Sequence, residues 1–293
     1  MLERAVGLDP SYAPAWAYLG VRYNYDGAYS NGGVEMRKRS NAALERAISL
    51  DPNYSFAVAW LISNRVEQGE LAKAYQDGKA LVARHPESAQ AHFALGYVLR
   101  HGGAMEESAH ECDAALALDS GNYGLRSCAF TFDQLGNYAH AMDFLQLDAG
   151  SEWASNNVMR HYLREARFAQ AKEMSDKFKD LGAQGFRMMA ACLENPSSPD
   201  IASLTRKTVA TRLADPDPEP RYIVATDLLF CGQKDGAVQL LRSSIAGHYC
   251  AYAGLQNDSV WAKLRGTPEF TELLSAAKEC RDDFLAKRAQ VAP

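Results

Sequence analysis

Two histidine–cysteine pairs are the residues in this chain whose types could hold a metal ion. His110 and Cys112 stand two residues apart, as do His248 and Cys250, and on a helix that spacing places the two side chains on different faces. A zinc site requires about four converging ligands, and the sequence has no second cluster at a suitable spacing. We therefore predict no metal ion and no cofactor.

Acidic and nucleophilic residues also lack the context of a catalytic site. The paired acids Glu106-Glu107 and Asp282-Asp283 lie in helical, solvent-facing patterns, and charged residues belong on the outer face of such helices. The chain has no G-x-S-x-G nucleophile elbow, no kinase motif and no phosphate-binding glycine loop. We predict that the chain is not an enzyme. The competing hypothesis is an enzyme that uses His101 or His248, and complete burial of either histidine would weigh against it.

Composition and charge indicate a folded protein with an acidic balance. The 293 residues are 47% hydrophobic and 23% charged, with a net charge of −5 at pH 7. Phosphate binding requires a basic surplus, so we expect no nucleic-acid partner; an RNA-binding helical repeat would show sharply salt-dependent binding. No run approaches about 18 apolar residues, and the first residues do not have the regions of a signal peptide. We expect no membrane partner and a cytoplasmic location.

The cysteines agree with that compartment. They are widely spaced, without a C-x-x-C pair, and most fall on apolar helix faces, where cysteine behaves as a small hydrophobic residue. The sequence predicts reduced thiols in the core. The six residues are Cys112, Cys128, Cys192, Cys231, Cys250 and Cys280.

The helices that would position any functional site recur at a regular interval along the chain. Pro52, Pro86 and Ser120 stand 34 residues apart, each at the end of a helical stretch, and a fixed period of this length is typical of helical repeat arrays. Residues 16–23 have the spacing W-x-x-L-G-x-x-Y. The chain thus resembles the tetratricopeptide repeat (TPR) family. The resemblance implies an all-α, right-handed solenoid of antiparallel helix pairs, about seven in number.

Small residues at the predicted helix crossings extend the repeat to the second half of the chain. We predict one continuous solenoid, with a TPR array over residues 1–215 and a last repeat with capping helices over 216–293. The array has a partial first repeat, an eight-residue insertion near 24–39 and a degenerate repeat near 183–215. We interpret the insertion as a surface loop and the partial repeat as a sign of a longer protein or of an unusually docked first helix. The crossing residues are Ser40, Ala74, Ser108, Ala141, Ala171 and Ala237.

The family resemblance also implies a peptide-binding groove, because the first helix of each repeat lines a concave surface in TPR arrays. The residues at those positions are mostly aromatic rings and arginines. Arginine holds carboxylates in bidentate geometry, and aromatic rings anchor apolar side chains, so we expect a protein or an acidic peptide as partner. Packing between repeats is the alternative for the rings, whereas we expect the arginines to be exposed because unpaired burial is costly. The set is Tyr25, Phe56, Phe93, Tyr97, Arg100, His101, Arg126, Trp153, Arg160, Arg164 and Tyr222.

The function that follows is a protein–protein interaction scaffold, and one further resemblance offers an alternative. The long first loop and the stretch L-R-G-T-P-E-F at residues 264–270 are similar to the C-terminal TPR regions of bacterial multidomain signalling proteins. The alternative is therefore a regulatory tail whose kinase, cyclase or winged-helix domain lies outside this chain. Chaperone-binding TPR domains use Lys and Asn to clamp a terminal carboxylate. This clamp is missing from the sequence, because its positions hold Ala17, Val21, Ala59, Ser63, Phe93 and Tyr97 here.

Overall fold

The structure, a computed structural model, describes residues 1–29, 33–178 and 184–290, and within these ranges every regular element is a helix. The chain forms the predicted all-α solenoid of antiparallel helix pairs. None of the described helices is both long and apolar enough to cross a membrane. The helices of the first half are α1 (Leu2–Leu8), α2 (Ala13–Tyr29), α3 (Gly33–Leu50), α4 (Ser55–Glu67), α5 (Leu71–Arg84), α6 (Ala89–His101), α7 (Met105–Leu118), α8 (Ala129–Gln134) and α9 (Tyr138–Gln146).

The second half continues the alternation of paired helices and adds a long final helix. Two 3₁₀ helices, Tyr123–Cys128 and Ser259–Lys263, precede α8 and the final helix respectively. The helices of the second half are α10 (Glu152–Arg164), α11 (Phe168–Phe178), α12 (Gln184–Glu194), α13 (Asp200–Ala214), α14 (Glu219–Phe230), α15 (Lys234–Ala246), α16 (Tyr252–Asn257) and α17 (Pro268–Ala289).

Small residues allow the helices of each pair to approach closely. A Cβ on Gly20 of α2 would stand 2.7 Å from the Cγ of Leu44 in α3, so only glycine fits at this crossing. Ala74 and Ser108 have no exposed surface, and the Ser108 hydroxyl donates to the Gly96 carbonyl at 2.8 Å. The 34-residue period therefore places the smallest side chains where the helix pairs cross.

The insertion in the first repeat lengthens a helix pair instead of forming a loop. The helices α2 and α3 have 17 and 18 residues, whereas α4 and α5 have 13 and 14. The expected surface loop near 24–39 is wrong for the described part of that range, because the extended helices gain packing against α4. Arg37 in the extension is buried and pairs with Glu67. Residues 30–32 lie outside the described residues.

The C-terminal helices contact the first half of the array. The ring of Phe284 in α17 packs edge-on against Tyr75 of α5, with the ring centroids 5.9 Å apart. The backbone N–H of Cys250, in the loop after α15, donates to the carbonyl of His101 at 2.8 Å. The C-terminal helices therefore close the solenoid onto itself, in addition to covering its end.

All six cysteines are disulfide-bonded, so the prediction of reduced core thiols is wrong. The partners lie on facing helices or loops although they are 16 to 39 residues apart in sequence, and the sequence pattern does not encode that pairing. The third bond fixes the loop after α15 to α17. The pairs are Cys112–Cys128, Cys192–Cys231 and Cys250–Cys280.

We predict that the protein purified without reductant takes up no iodoacetamide when it is denatured, because no thiol is free. Mass spectrometry of the intact protein measures the uptake. The matched control is the same sample after reduction, which should gain six adducts, one per cysteine. Adducts on the unreduced protein would contradict the pairing.

Candidate functional site

The eleven predicted groove residues divide into a buried group and an accessible group. The buried group lies where α6 and α10 meet the C-terminal helices, and the accessible group is spread over α2, α4, α6, the first 3₁₀ helix and the start of α10. The buried side chains are those of Tyr97, Arg100, His101, Arg160, Arg164 and Tyr222. The side chains that are exposed or half-buried are those of Tyr25, Phe56, Phe93, Arg126 and Trp153.

Arg100 joins α6 to α14 and is completely buried. Its Nε and Nη2 donate to the two carboxylate oxygens of Glu219 at 2.7 and 3.2 Å, and its Nη1 donates to the carbonyl of Ser127 at 2.9 Å. The hydroxyl of Tyr249 donates to the same carboxylate at 3.2 Å. Because an unpaired buried charge costs several kcal/mol, these bonds are what allow the guanidinium to lie inside the protein.

Two arginines of α10 form the same kind of pair. The Nε and Nη2 of Arg160 donate to the two carboxylate oxygens of Asp227 at 2.8 and 2.7 Å. Arg164 donates from Nη2 to Asp258 at 2.7 Å, and Asp258 directly precedes the second 3₁₀ helix. Burial by itself would lower the pKa of Arg164, but the negative charges of Asp258 and Asp133 and the hydrogen bond to Asp258 together raise it. All three guanidinium groups are therefore paired with a carboxylate inside the protein.

The expectation that the arginines are exposed is wrong for Arg100, Arg160 and Arg164. Their carboxylate partners lie 119, 67 and 94 residues further along the chain, and nothing near the arginines in sequence indicates them. One signal was present: Glu219 and Asp227 are eight residues apart, a spacing that puts both carboxylates on one face of a helix. The chain itself supplies the acids that we expected from a partner.

His101 is an interior residue, which weighs against the enzyme hypothesis. Its side chain has no exposed surface, its Nδ1 lies 3.0 Å from the Tyr97 carbonyl, and its ring lies edge-on to that of Tyr249 at 4.9 Å. Burial lowers the pKa of His101 to about 4, so the ring is uncharged at neutral pH. The other histidine of the enzyme hypothesis, His248, is exposed.

The accessible residues Tyr25 and Phe56 belong to a larger aromatic surface. Tyr18 and Tyr25 of α2 meet Phe56 and Trp60 of α4: Tyr18 lies 5.1 Å from Phe56, Tyr25 lies 5.8 Å from Trp60, and Phe56 lies 6.3 Å from Trp60. Tyr18 is 52% and Tyr25 42% exposed. We call these four rings the aromatic face. We had not predicted Tyr18 or Trp60, although the i, i+7 and i, i+4 spacings place each pair on one helix face.

Arg126 lies at the far edge of this surface. Its guanidinium stands over the rings of Tyr123 and Trp153, 5.5 and 4.9 Å from their centroids, and its Nε lies 3.3 Å from the carboxylate of Asp148. Burial raises the pKa of Tyr25, and the positive charge of Arg126 opposes that shift. The two side chains are therefore within electrostatic reach of each other.

Phe93 links the accessible and buried groups. Its ring is half-buried and stacks on Tyr97, with the centroids 6.2 Å apart. The guanidinium of Arg100 lies 4.8 Å from the centroid of the Tyr97 ring. For Phe93 and Tyr97 the structure thus shows the packing role that was our alternative for the rings.

We predict that Arg160→Ala lowers the free energy of unfolding by about 3–5 kcal/mol, because it leaves the carboxylate of Asp227 buried and unpaired. Urea unfolding followed by circular dichroism measures the loss. The matched control is Arg206→Ala, since Arg206 is exposed on α13, and its effect should stay within about 0.5 kcal/mol. Equal losses for the two variants would contradict a structural role for the pair.

A second prediction concerns Asp217, which is half-buried beside α14. Burial, followed by the negative charge of Glu219, raises the pKa of Asp217 to about 7. The folded state then binds more protons than the unfolded state between about pH 4 and 7, so this residue destabilises the fold as the pH rises. The free energy of unfolding of Asp217→Asn, relative to that of the wild type, should therefore increase by about 1–2 kcal/mol from about pH 5 to about pH 8, after allowance for solvent screening.

Urea unfolding of both proteins at the two pH values tests this. The low pKa of His101 has the opposite effect, since it makes stability rise as the pH rises between about 4 and 6.5. This contribution is the same in both proteins and cancels in the difference between them. A stability difference that stays constant with pH would exclude the raised pKa.

Comparison with known proteins supports the fold. No protein-family model and no curated protein matches the chain, but solved structures do. The chain is similar to TTC0263, a thermophilic TPR protein in Thermus thermophilus, with a TM-score of 0.52 and 18% identity over 62% of this chain and 98% of that one. It is also similar to the APC/C hetero-tetramer Cut9–Hcn1, with a TM-score of 0.54 and 14% identity over 94% of this chain and 59% of that one. At these identities the likeness shows that the chain has a TPR fold.

Proposed function

We propose that the protein is an interaction scaffold that binds an extended segment of a partner protein across the aromatic face. The observation that carries this proposal is the exposure of two tyrosine rings, Tyr18 and Tyr25, beside the half-buried rings of Phe56 and Trp60. Contiguous exposed apolar surface on a folded protein marks interaction sites. Aromatic side chains supply most of the energy in such interfaces.

The position of these rings favours binding without rearrangement. Each lies on a helix, and the helices are fixed by the buried crossings of the repeat and by the pair formed by Arg37 and Glu67. Rings held in place before binding lose little conformational freedom when a partner arrives, so more of the contact energy appears as affinity. The surface is therefore suited to a segment that wraps along the helices.

The closed solenoid changes which partner chemistry is favoured. An acidic peptide was our prediction because arginines dominated the predicted groove. Three of those arginines are neutralised by Glu219, Asp227 and Asp258, and Arg126 lies beside Asp148. The rings, and not the guanidinium groups, are left to bind a partner. The buried polar groups serve the closure of the fold, which supports a binding role without catalysis.

The compartment in which this scaffold works is also a proposal. The expected reduced cysteines agreed with a cytoplasmic location, whereas the structure pairs all six. Disulfides form and persist in oxidising surroundings. We therefore favour an oxidising compartment over the cytoplasm.

A second proposal keeps the regulatory-tail function for a larger bacterial signalling protein. The observation that favours it is the sequence stretch at residues 264–270, which forms the start of α17: the hydroxyl of Thr267 accepts the N–H of Phe270 and Pro268 is the first helical residue. Sequencing the DNA upstream of the codon for Met1 tests it. An in-frame stop codon directly upstream would contradict it.

We predict that phage-displayed random dodecapeptides enrich on the wild-type protein. Their affinity should fall about tenfold or more in Trp60→Ala, because the largest ring of the aromatic face is lost. Fluorescence anisotropy of the enriched peptides measures the change. Arg206→Ala on α13 is the matched control and should bind them as the wild type does. If the enriched peptides bind Trp60→Ala as tightly as they bind the wild type, the binding surface lies elsewhere.

A further inference from the structure

We propose that the C-terminal part of α17 is a strap that is released from the first half of the array when the Cys250–Cys280 disulfide is reduced. The strap consists of residues 278–289 of α17. The inference does not depend on the aromatic face or on the partner bound there. It follows from the two cores that α17 joins, from the position and accessibility of the disulfide, and from the contacts that remain when the bond is open.

The helix α17 joins two separate apolar clusters. Its first half contributes Phe270, Leu273 and Ala277 to the cluster formed by the second half of the chain. Within the strap, Phe284 belongs instead to the cluster formed mainly by α4, α5 and α6. Cys280 packs against both clusters, so it marks the point at which the helix passes from one to the other. A bond broken at Cys280 would free the strap and leave the start of α17 packed.

The disulfide at this point is the most accessible of the three. Cys280 keeps part of its surface exposed, whereas the four cysteines of the other two bonds are buried, at most 5% exposed. Cys250 is also buried, so a reductant reaches this bond at Cys280. Thiol–disulfide exchange requires a thiolate to reach a sulfur atom, and its rate depends on that access.

A dithiol reductant opens the bond in two exchange steps. One of its thiolates attacks the Sγ of Cys280, which forms a mixed disulfide and releases Cys250 as a thiolate. The second thiolate of the reductant then attacks the reductant's own sulfur in the mixed disulfide, and Cys280 leaves as a thiolate. The two protein thiolates take up the two protons given up by the reductant. The protein disulfide gains two electrons, and the dithiol loses two and becomes a cyclic disulfide.

The contacts that remain between the strap and the first half centre on the ring of Phe284. This ring packs on the backbone of Gly102, where an added Cβ would stand 2.3 Å from it, and edge-on against Tyr75. Arg288 lies 2.7 Å from Glu107, whose side chain is 54% exposed, and an exposed ion pair contributes little. The disulfide holds the helix one turn before Phe284. Opening the bond therefore lowers the effective concentration of the ring at its site on Gly102.

The first test measures the order in which the three disulfides are reduced in the native protein. The protein is incubated with dithiothreitol, samples are denatured in excess N-ethylmaleimide at intervals, and peptide mass spectrometry identifies the labelled cysteines. We expect Cys250 and Cys280 to be labelled at least about tenfold faster than the other four, because their bond is the accessible one. Equal rates for the three bonds, or earlier labelling of another pair, would overturn the inference.

The second test measures hydrogen exchange by mass spectrometry when this bond alone is open. We expect the backbone amides of the strap to exchange at least about tenfold faster than in the oxidised protein, because a helix without packing frays. Residues 268–277 should keep their protection, and reoxidation with glutathione disulfide should restore slow exchange in the strap. Unchanged exchange in the strap, or loss of protection throughout α17, would each show that the bond does not control a separate strap.

Matched variants repeat the second test without a reductant. Cys250→Ser combined with Cys280→Ser should give fast exchange in the strap. Cys112→Ser combined with Cys128→Ser removes a bond between α7 and the first 3₁₀ helix, and its strap should exchange as slowly as in the wild type. Circular dichroism melting checks that both variants are folded, and the reduced wild type decides if one is not. Equal exchange of the strap in the two folded variants would assign the effect to a general loss of stability and overturn the inference.

Discussion

The solenoid depends on three buried arginine–carboxylate pairs, which join the concave side of its middle repeats to its C-terminal helices. Arg100, Arg160 and Arg164 each bind a carboxylate in the interior. A charge taken out of water is tolerated only with a well-placed partner and further hydrogen bonds. The pairs therefore favour one way of closing the array, since a shift of α14 would leave Arg100 and Arg160 without their carboxylates. Apolar packing alone would permit more than one register.

Closure decides which of the predicted groove residues remain accessible. The half that faces α14 is filled by the chain, and it contains rings such as Tyr97 and Tyr222 that pack in the interior. The half formed by α2 and α4 stays accessible and carries the aromatic face. Aromatic residues at equivalent repeat positions thus differ in their surroundings: Tyr97 packs in the interior, whereas Tyr25 is exposed.

The disulfides and the pairs support the same arrangement. Cys250 is bonded to Cys280 in α17, and its backbone N–H binds the carbonyl of His101 at the end of α6. The loop after α15 is therefore held to the final helix covalently and to the array by hydrogen bonding. A covalent link that restricts the unfolded chain adds to the stability of contacts formed between distant parts of the sequence. The C-terminal helices are consequently part of the core as well as a cap on the array.

The sequence by itself determined the helices, their pairing and the TPR fold, because these depend on local features such as the 34-residue period, the Gly20 crossing and the Thr267 cap. It also singled out Tyr25 and Phe56, which are accessible in the structure. Only the tertiary structure decided that Arg100 is buried, that the cysteines are bonded and that Trp60 completes the aromatic face. The burial of Arg100 depends on Glu219, which reaches it only when the C-terminal helices meet the array, and the 34-residue period carries no information about that closure. The cysteine pairs depend on which helices face one another. Trp60 shares a face of α4 with Phe56, but only the packing of α2 against α4 brings it beside Tyr25.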